Sequence, residues 1–292
     1  MSEPATNIPS GYSIDDLPRF SDWPLRLLGL APWISRKKTP GEVEREFGQE
    51  KWGLLLERYR ASGRAATLRE VEGWMCDPSE PQLCSVGRRF ELLPTRQALS
   101  QHYALVADSL HRYLPSQALV ELGAGFGSAI LRLAADPRFA RVRLYAAEYT
   151  DSGVELMREL ACAAHLDLGI GHCDLVADPV SDLSVPEQAI VFTCMAAHYV
   201  PELRDSFVHA LARMRPAVVV HFEPCYEHFD TDTLTGALRR RYVEVNDYNR
   251  NLVTLLRHHA ERRSIRILEE LPAVIGLNPL LPISVLAWSP AA

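Results

Sequence analysis

The 292-residue chain has no stretch approaching the roughly 20 consecutive apolar residues that a membrane-spanning helix needs. Its polar N-terminus lacks the basic-then-apolar pattern of a secretory leader. None of its six cysteines forms a C-x-x-C pair. Most of them (76, 84, 162, 173, 194 and 225) have apolar neighbours, as reduced structural thiols do, so a cytoplasmic protein is expected. Basic charge is also scarce, with 31 Lys and Arg against 37 Asp and Glu. Phosphate backbones require a concentrated basic face, so neither nucleic acid nor membrane is expected as a partner. The one basic run, Arg239-Arg240-Arg241, would point its members in different directions on a helix, as a solvated or helix-end segment does. No internal repeat is visible. What the chain does have is 47% hydrophobic content, enough to bury a full core, in a length exceeding one domain of about 150 residues.

The most informative stretch is Val120-Glu121-Leu122-Gly123-Ala124-Gly125-Phe126-Gly127. An apolar strand, Ala118 to Leu122, runs into three alternating glycines, and a helix from Ser128 to Ala135 follows directly. Such glycines let the backbone turn sharply and leave room where a Cβ would clash, while the helix start offers free N–H groups. A dinucleotide-binding turn wants G-x-G-x-x-G, but here Ser128 stands where the last glycine belongs. A second strand, Val142 to Ala147, ends on Glu148, about 25 residues beyond Gly123, where an acid can accept from both ribose hydroxyls. A helix (Ser152 to Ala164) leads to a third strand, Leu166 to His172, closed by Cys173-Asp174.

This glycine loop, with Glu121 two positions before Gly123, resembles motif I of the class I S-adenosylmethionine methyltransferases, (D/E)-x-G-x-G-x-G. The resemblance spans roughly Ser116 to Ala292 and implies a mostly parallel seven-stranded α/β sheet with helices on both faces. It implies S-adenosyl-L-methionine as cofactor. Gly123, Ala124, Gly125 and Gly127 would pack on its methionine part, Glu121 would reach its amino group, and Glu148 with Tyr149 would face the ribose. Asp174, next to Cys173, would accept from the adenine amine. Gln188 to Thr193 reads as the fourth strand, and Cys194 to Val200 as the loop that faces the transferred methyl.

Upstream, Met1 to about Pro40 reads as an irregular arm that packs onto the body, since Trp23 and Trp33 would be costly to leave in water. Gly41 to Ala61 carries Val43, Phe47, Leu54 and Leu55 at near-helical spacing. Thr67 to Met75 is a short helix opened by a Thr67-x-x-Glu70 capping box. After a break at Asp77 to Pro81, an amphipathic helix runs from about Thr95 to Tyr113. The expected organisation is an N-terminal arm and helical cap over 1–94 and a methyltransferase domain over 95–292; by analogy the cap would be a lid. Ala217 to Phe222 is the fifth strand, Asp230 to Arg263 a long helical region, and Ile265 to Leu268 and Ser284 to Trp288 the last two strands.

Ligands in open α/β sheets sit beyond the C-terminal strand ends, so the acceptor should meet the loops after strands four and five. These carry His198-Tyr199 and His221-Phe222-Glu223-Pro224-Cys225-Tyr226-Glu227-His228. In the family the loop with His198 lies beside the methyl, which makes His198 the general-base candidate; Tyr199 is placed to bond the acceptor or to pack. Glu223 and Glu227, with Asp230, Glu244 and Asp247 adding charge, suit an amine or guanidine. A second reading takes His221, Glu223 and His228 as a 2-His-1-carboxylate set holding iron for C-methylation of a 2-oxo acid. Asn246-Asp247-Tyr248-Asn249-Arg250-Asn251 interrupts a helical region with poor helix formers, either as a break or as a polar face toward ligand, and ligand contact by Asn246, Tyr248 or Asn249 is the favoured expectation. Arg88 and Arg89 read as surface residues. The expected activity is methyl transfer to a small metabolite of specialised metabolism, an amino-acid-like amine or guanidine, with a homodimer as an option. A non-catalytic S-adenosylmethionine-binding subunit is the alternative of another class.

Overall fold

The computed structural model describes residues 11–34, 37–177 and 180–291. The first ten residues of the arm, with Ser35 and Arg36, lie outside them. One sheet contains β1 (Pro81–Val86), β2 (Arg89–Pro94), β3 (Ala118–Leu122), β4 (Arg143–Glu148), β5 (Leu168–His172), β6 (Ile190–Cys194), β7 (Val218–Glu223), β8 (Ile265–Gly276) and β9 (Ile283–Pro290). Their order is β2-β1-β8-β9-β7-β6-β3-β4-β5. Strands β3 to β7 pair in parallel, and β8 and β9 close that side antiparallel.

The helices are α1 (Trp23–Leu27), α2 (Pro40–Val43), α3 (Trp52–Ala61), α4 (Leu68–Gly73), α5 (Thr95–His111), α6 (Ser128–Ala134), α7 (Asp151–Ala163), α8 (Asp205–Arg213), α9 (Leu234–Val245) and α10 (Leu252–Glu261). Strand alternation divides the core into two layers. Leu119, Ile190, Phe192 and Val220 pack against α3, α5, α6 and α7. Val120, Val191, Val219 and Trp288 pack against α8 and α10. Among the described residues no helix is long and apolar enough to cross a membrane.

The sheet has nine strands, not seven. The two additional strands are a hairpin, β1–β2, turning at Gly87-Arg88 and joining β8 through Ser85 and Val86. Gly87 supplies the positive φ, +58°, that the two-residue turn demands. Arg88 and Arg89 are exposed there.

Two helical expectations also change. Between α2 and α3 the chain makes a π-helical turn, Glu44–Gln49, so Gly41 to Ala61 is not one helix. Asp230 to Arg263 divides into α9 and α10 at the asparagine-rich segment, whose amides bond backbone. Asn246 Nδ2 donates to the Tyr242 carbonyl, Asn249 Nδ2 to Val200 and Asn251 Nδ2 to Leu203, each at 2.8 Å. Asn249 Oδ1 accepts from the N–H groups of Asn251 and Leu252 and so caps α10. The segment is therefore the break, and Arg250 is exposed. The Thr67–Glu70 capping box forms as the spacing requires. Of the arm, Trp23 packs edge-on against Trp33 and against Tyr242 of α9.

Candidate active site

Chain direction around the sheet reverses between β3 and β6, and the loops leaving their C-terminal ends part to form a cavity of about 320 Å³. Gly123 and Gly125 line it at φ +74° and +58°, both left-handed. A Cβ on Gly123 would stand 2.4 Å from the Ala196 methyl, and one on Gly125 would stand 3.0 Å from the Trp52 ring. Only glycine permits this approach of three chain segments. Gly127 serves packing instead, because a Cβ there would meet Met157 of α7 at 2.6 Å. Neither Gly127 nor Ala124 lines the cavity; the Ala124 N–H donates to Ala147 at 3.0 Å.

At the end of β4, Glu148 lines the cavity, with Tyr149 beside it. Its Oε2 accepts from the Gly125 N–H at 2.9 Å and its Oε1 from the Thr150 N–H and Oγ1–H, so the carboxylate pins the glycine loop from beneath. Burial raises its pKa against the lowering by these donors. Cys173 and Asp174 line the same wall. Cys173 Sγ accepts from the Gly123 N–H at 3.2 Å, with its thiol pushed up by burial, and Asp174 Oδ1 accepts from the Val176 N–H at 2.9 Å.

Other expected site residues stand away from the cavity. Glu121 faces the α6 layer by strand alternation, where its Oε2 accepts from the Ile130 N–H at 2.9 Å and caps α6. Burial pushes its pKa up to about 8. Cys194 turns below the loop toward His102 Nε2, 3.4 Å away.

Glu223 is fully buried: Oε1 accepts from the Ala196 and Ala197 N–H groups at 3.0 and 2.9 Å. Its Oε2 accepts from the N–H of His198 at 3.2 Å and lies 3.1 Å from His198 Nδ1. Burial raises the Glu223 pKa, but His198 and the amides outweigh it, leaving it lowered. A carboxylate only accepts, so Nδ1 carries the proton and donates. Nε2 of His198 is buried with no partner. Glu227 Oε1 accepts from the Thr254 N–H at 2.9 Å, at the start of α10. Neither glutamate is a carboxylate presented to the cavity. Asp230 and Glu244 are exposed, and Asp247 accepts from the Lys38 backbone N–H at 3.0 Å.

The residues of the metal reading do not fit an ion. His221 Nε2 accepts from the Trp288 indole N–H at 3.0 Å, and its Nδ1 pairs with Thr193 Oγ1, also at 3.0 Å. His228 pairs with Ser284 and Glu270. Among the described residues no group of three or more His, Cys, Asp or Glu is arranged to hold a metal.

Tyr199 lines the cavity, and its ring packs on the imidazole of His198 with centroids 4.0 Å apart. His198 itself contributes no wall. The reading of the sequence missed the side formed by Lys38, Val43, Phe47 and Trp52. Only the costly aromatic rings upstream hinted at it. Met195 was also missed; it lines the cavity at φ +55°, a left-handed strain of the kind that clusters at functional sites.

No protein-family model matches the chain, and no curated protein matches it. Solved structures do. A Galdieria sulphuraria protein assigned provisionally as a sarcosine dimethylglycine methyltransferase aligns with 77% of this chain and 98% of its own, at 12% identity and TM-score 0.51. Geranyl diphosphate C-methyltransferase from Streptomyces coelicolor A3(2), solved with S-adenosyl-L-homocysteine, aligns with 68% of this chain and 82% of its own, at 11% identity and TM-score 0.49. The plantazolicin methyltransferase covers 82% and 98% respectively, at 11% identity and TM-score 0.43. The chain has the class I methyltransferase fold, with an added hairpin at one edge.

Proposed function

We propose that the chain is an S-adenosylmethionine-dependent methyltransferase acting on a small hydroxylated acceptor. The observation that carries this reading is the cavity at the switch point, floored by Gly123 and Gly125 and edged by Glu148 and Asp174. These residues suit the donor: two Cβ-free positions for close backbone approach, a carboxylate at the second parallel strand for vicinal hydroxyls, and an acid after the third for an exocyclic amine. Glu121 is spent on α6, so the amino group must find other partners. S-adenosylmethionine supplies an electrophilic sulfonium methyl group.

The remaining work falls to the chain. Glu223 fixes the His198 tautomer with Nδ1 protonated, which leaves Nε2 to take the acceptor's proton once Tyr199 moves aside. Glu223 is thus a positioning residue. Glu223 is spent on backbone N–H groups and His198, and neither it nor Glu227 lines the cavity, so these two carboxylates do not serve an amine or guanidine acceptor there. Val43, Phe47, Trp52 and Tyr199 offer apolar and aromatic walls instead. The segment 37–61 acts in this reading as a lid over the methyltransferase domain.

The test is release of S-adenosylhomocysteine from wild type and His198→Ala with a panel of aromatic hydroxyl compounds. Turnover by wild type that falls about 10²–10⁴-fold in the variant, with donor affinity unchanged, is expected. Equal loss of both makes His198 structural. Donor binding without turnover on any compound favours the non-catalytic subunit.

A further inference from the structure

The cavity is lined by charges of both signs. Two of its lining residues are acids, Glu148 and Asp174, and Glu44 lies close enough to Asp151 and Glu148 that burial and both charges raise its pKa. Lys38 also lines it, and its side chain is only 6% exposed. Lys38 Nζ donates to Glu46, and the same carboxylate accepts from Lys51 at 2.8 Å, so two ammonium groups share one carboxylate. Burial raises the Glu46 pKa, but the two lysines outweigh it and hold it lowered. Asp247 balances Lys37, at 3.7 Å, and Glu42 balances Arg45. Lys38 and Lys51 thus have a single carboxylate between them.

Among the described residues Glu46 gives Lys38 Nζ its one oxygen partner. The ammonium otherwise faces the rings of Tyr199 and Tyr248, 5.2 and 5.5 Å from their centroids. Of its three N–H donors only one has an oxygen, and the ring contacts that face the others leave donor capacity for an incoming anion. Tyr199 and Phe47, 4.7 Å apart between centroids, add flat walls beside it.

We infer that Lys38 selects the methyl acceptor: an aromatic compound with an acidic hydroxyl, held as its oxyanion against the ammonium. This rests on the methyltransferase reading and adds the acceptor's charge state to it. An acceptor O–H gives its proton to His198 Nε2 or to solvent, Lys38 stays an ammonium throughout, and the oxygen lone pair is left free to attack. An opposite charge within a few ångströms lowers the pKa of the bound hydroxyl by about 1–3 units.

The experiment titrates the full chain, saturated with S-adenosylhomocysteine, with 4-nitrophenol, whose phenolate absorbs in the visible. S-adenosylhomocysteine affinity is measured on the same samples. Wild type should bind the phenolate and lower the probe's apparent pKa by at least about one unit. Lys38→Met should abolish that shift with S-adenosylhomocysteine affinity unchanged, and Lys38→Arg should retain it. Glu46→Gln, which removes the shared carboxylate, should enlarge the shift and so guards against a Lys38→Met that misfolds. Binding of the neutral phenol, preference for benzylamine, or indifference to both Lys38→Met and Glu46→Gln overturns the inference. If S-adenosylhomocysteine binds and the phenolate does not, only this inference fails. If neither binds, the methyltransferase reading fails with it.

Discussion

Replacing Glu223 by Gln tests whether this carboxylate organises the loop after β6 or is free for substrate. It accepts four hydrogen bonds in a site with no solvent exposure: three from consecutive backbone N–H groups and one from His198 Nδ1. A Gln can keep its oxygen on Ala196 and Ala197, but its NH₂ then confronts the two donors of His198. Leaving buried donors unpaired costs about 1–3 kcal/mol each, and removing a buried charge returns part of that. The expected loss is about 2–4 kcal/mol in urea denaturation at neutral pH, seen as a lower midpoint with an unchanged slope. The pH dependence adds a sign. Because the folded-state pKa is lowered, this stabilisation is present above the unfolded value of 4.5 and is lost as pH falls through the folded value. Glu223→Gln should lack that acid-side loss. A variant within about 0.5 kcal/mol of wild type at neutral pH, with the same acid profile, would refute the reasoning.

Glu148→Ala should weaken S-adenosylmethionine binding by about 1–3 kcal/mol, read by calorimetry, because it removes a charge-assisted acceptor from the cavity and unpins Gly125. Gly125→Ala combines a left-handed φ of +58° with a Cβ 3.0 Å from Trp52; a loss of about 1–3 kcal/mol in stability is expected from thermal unfolding. Glu121 has its folded pKa raised to about 8 from 4.5, so the folded state holds a proton that the unfolded state has released. Stability should therefore fall as pH rises from about 4.5 to about 8, and Glu121→Gln should flatten that slope in denaturation curves taken across the window.

The parallel half of the fold was legible because each strand is an apolar run ending in punctuation: Ala118 to Leu122 before the glycines, and Leu168 to His172 before Cys173-Asp174. The β1–β2 hairpin was not, since it lies between two prolines and its ladder to β8 is made by two residues, Ser85 and Val86, whose partners Gly276 and Ile275 are far along the chain. Within the site, the sequence placed Glu148 and Asp174 at strand ends that border the cavity. It could not tell those acids from Glu121, Glu223 and Glu227, which accept from N–H groups of α6, of α10 and of the loop after β6 and do not line the cavity. An acid that caps and an acid that binds look alike in one dimension; the strand face and the neighbouring N–H groups decide. Lys38 was invisible for another reason. Its partners Glu46, Tyr199 and Tyr248 come from three segments that only the tertiary fold unites.

The most direct test of the central claim is calorimetric titration of the purified chain with S-adenosylmethionine, S-adenosylhomocysteine and NADH. The account predicts micromolar binding of the first two and none of the third. Failure to bind S-adenosylmethionine, or preference for NADH, would contradict it and make the cavity at Gly123 and Gly125 the seat of a different ligand.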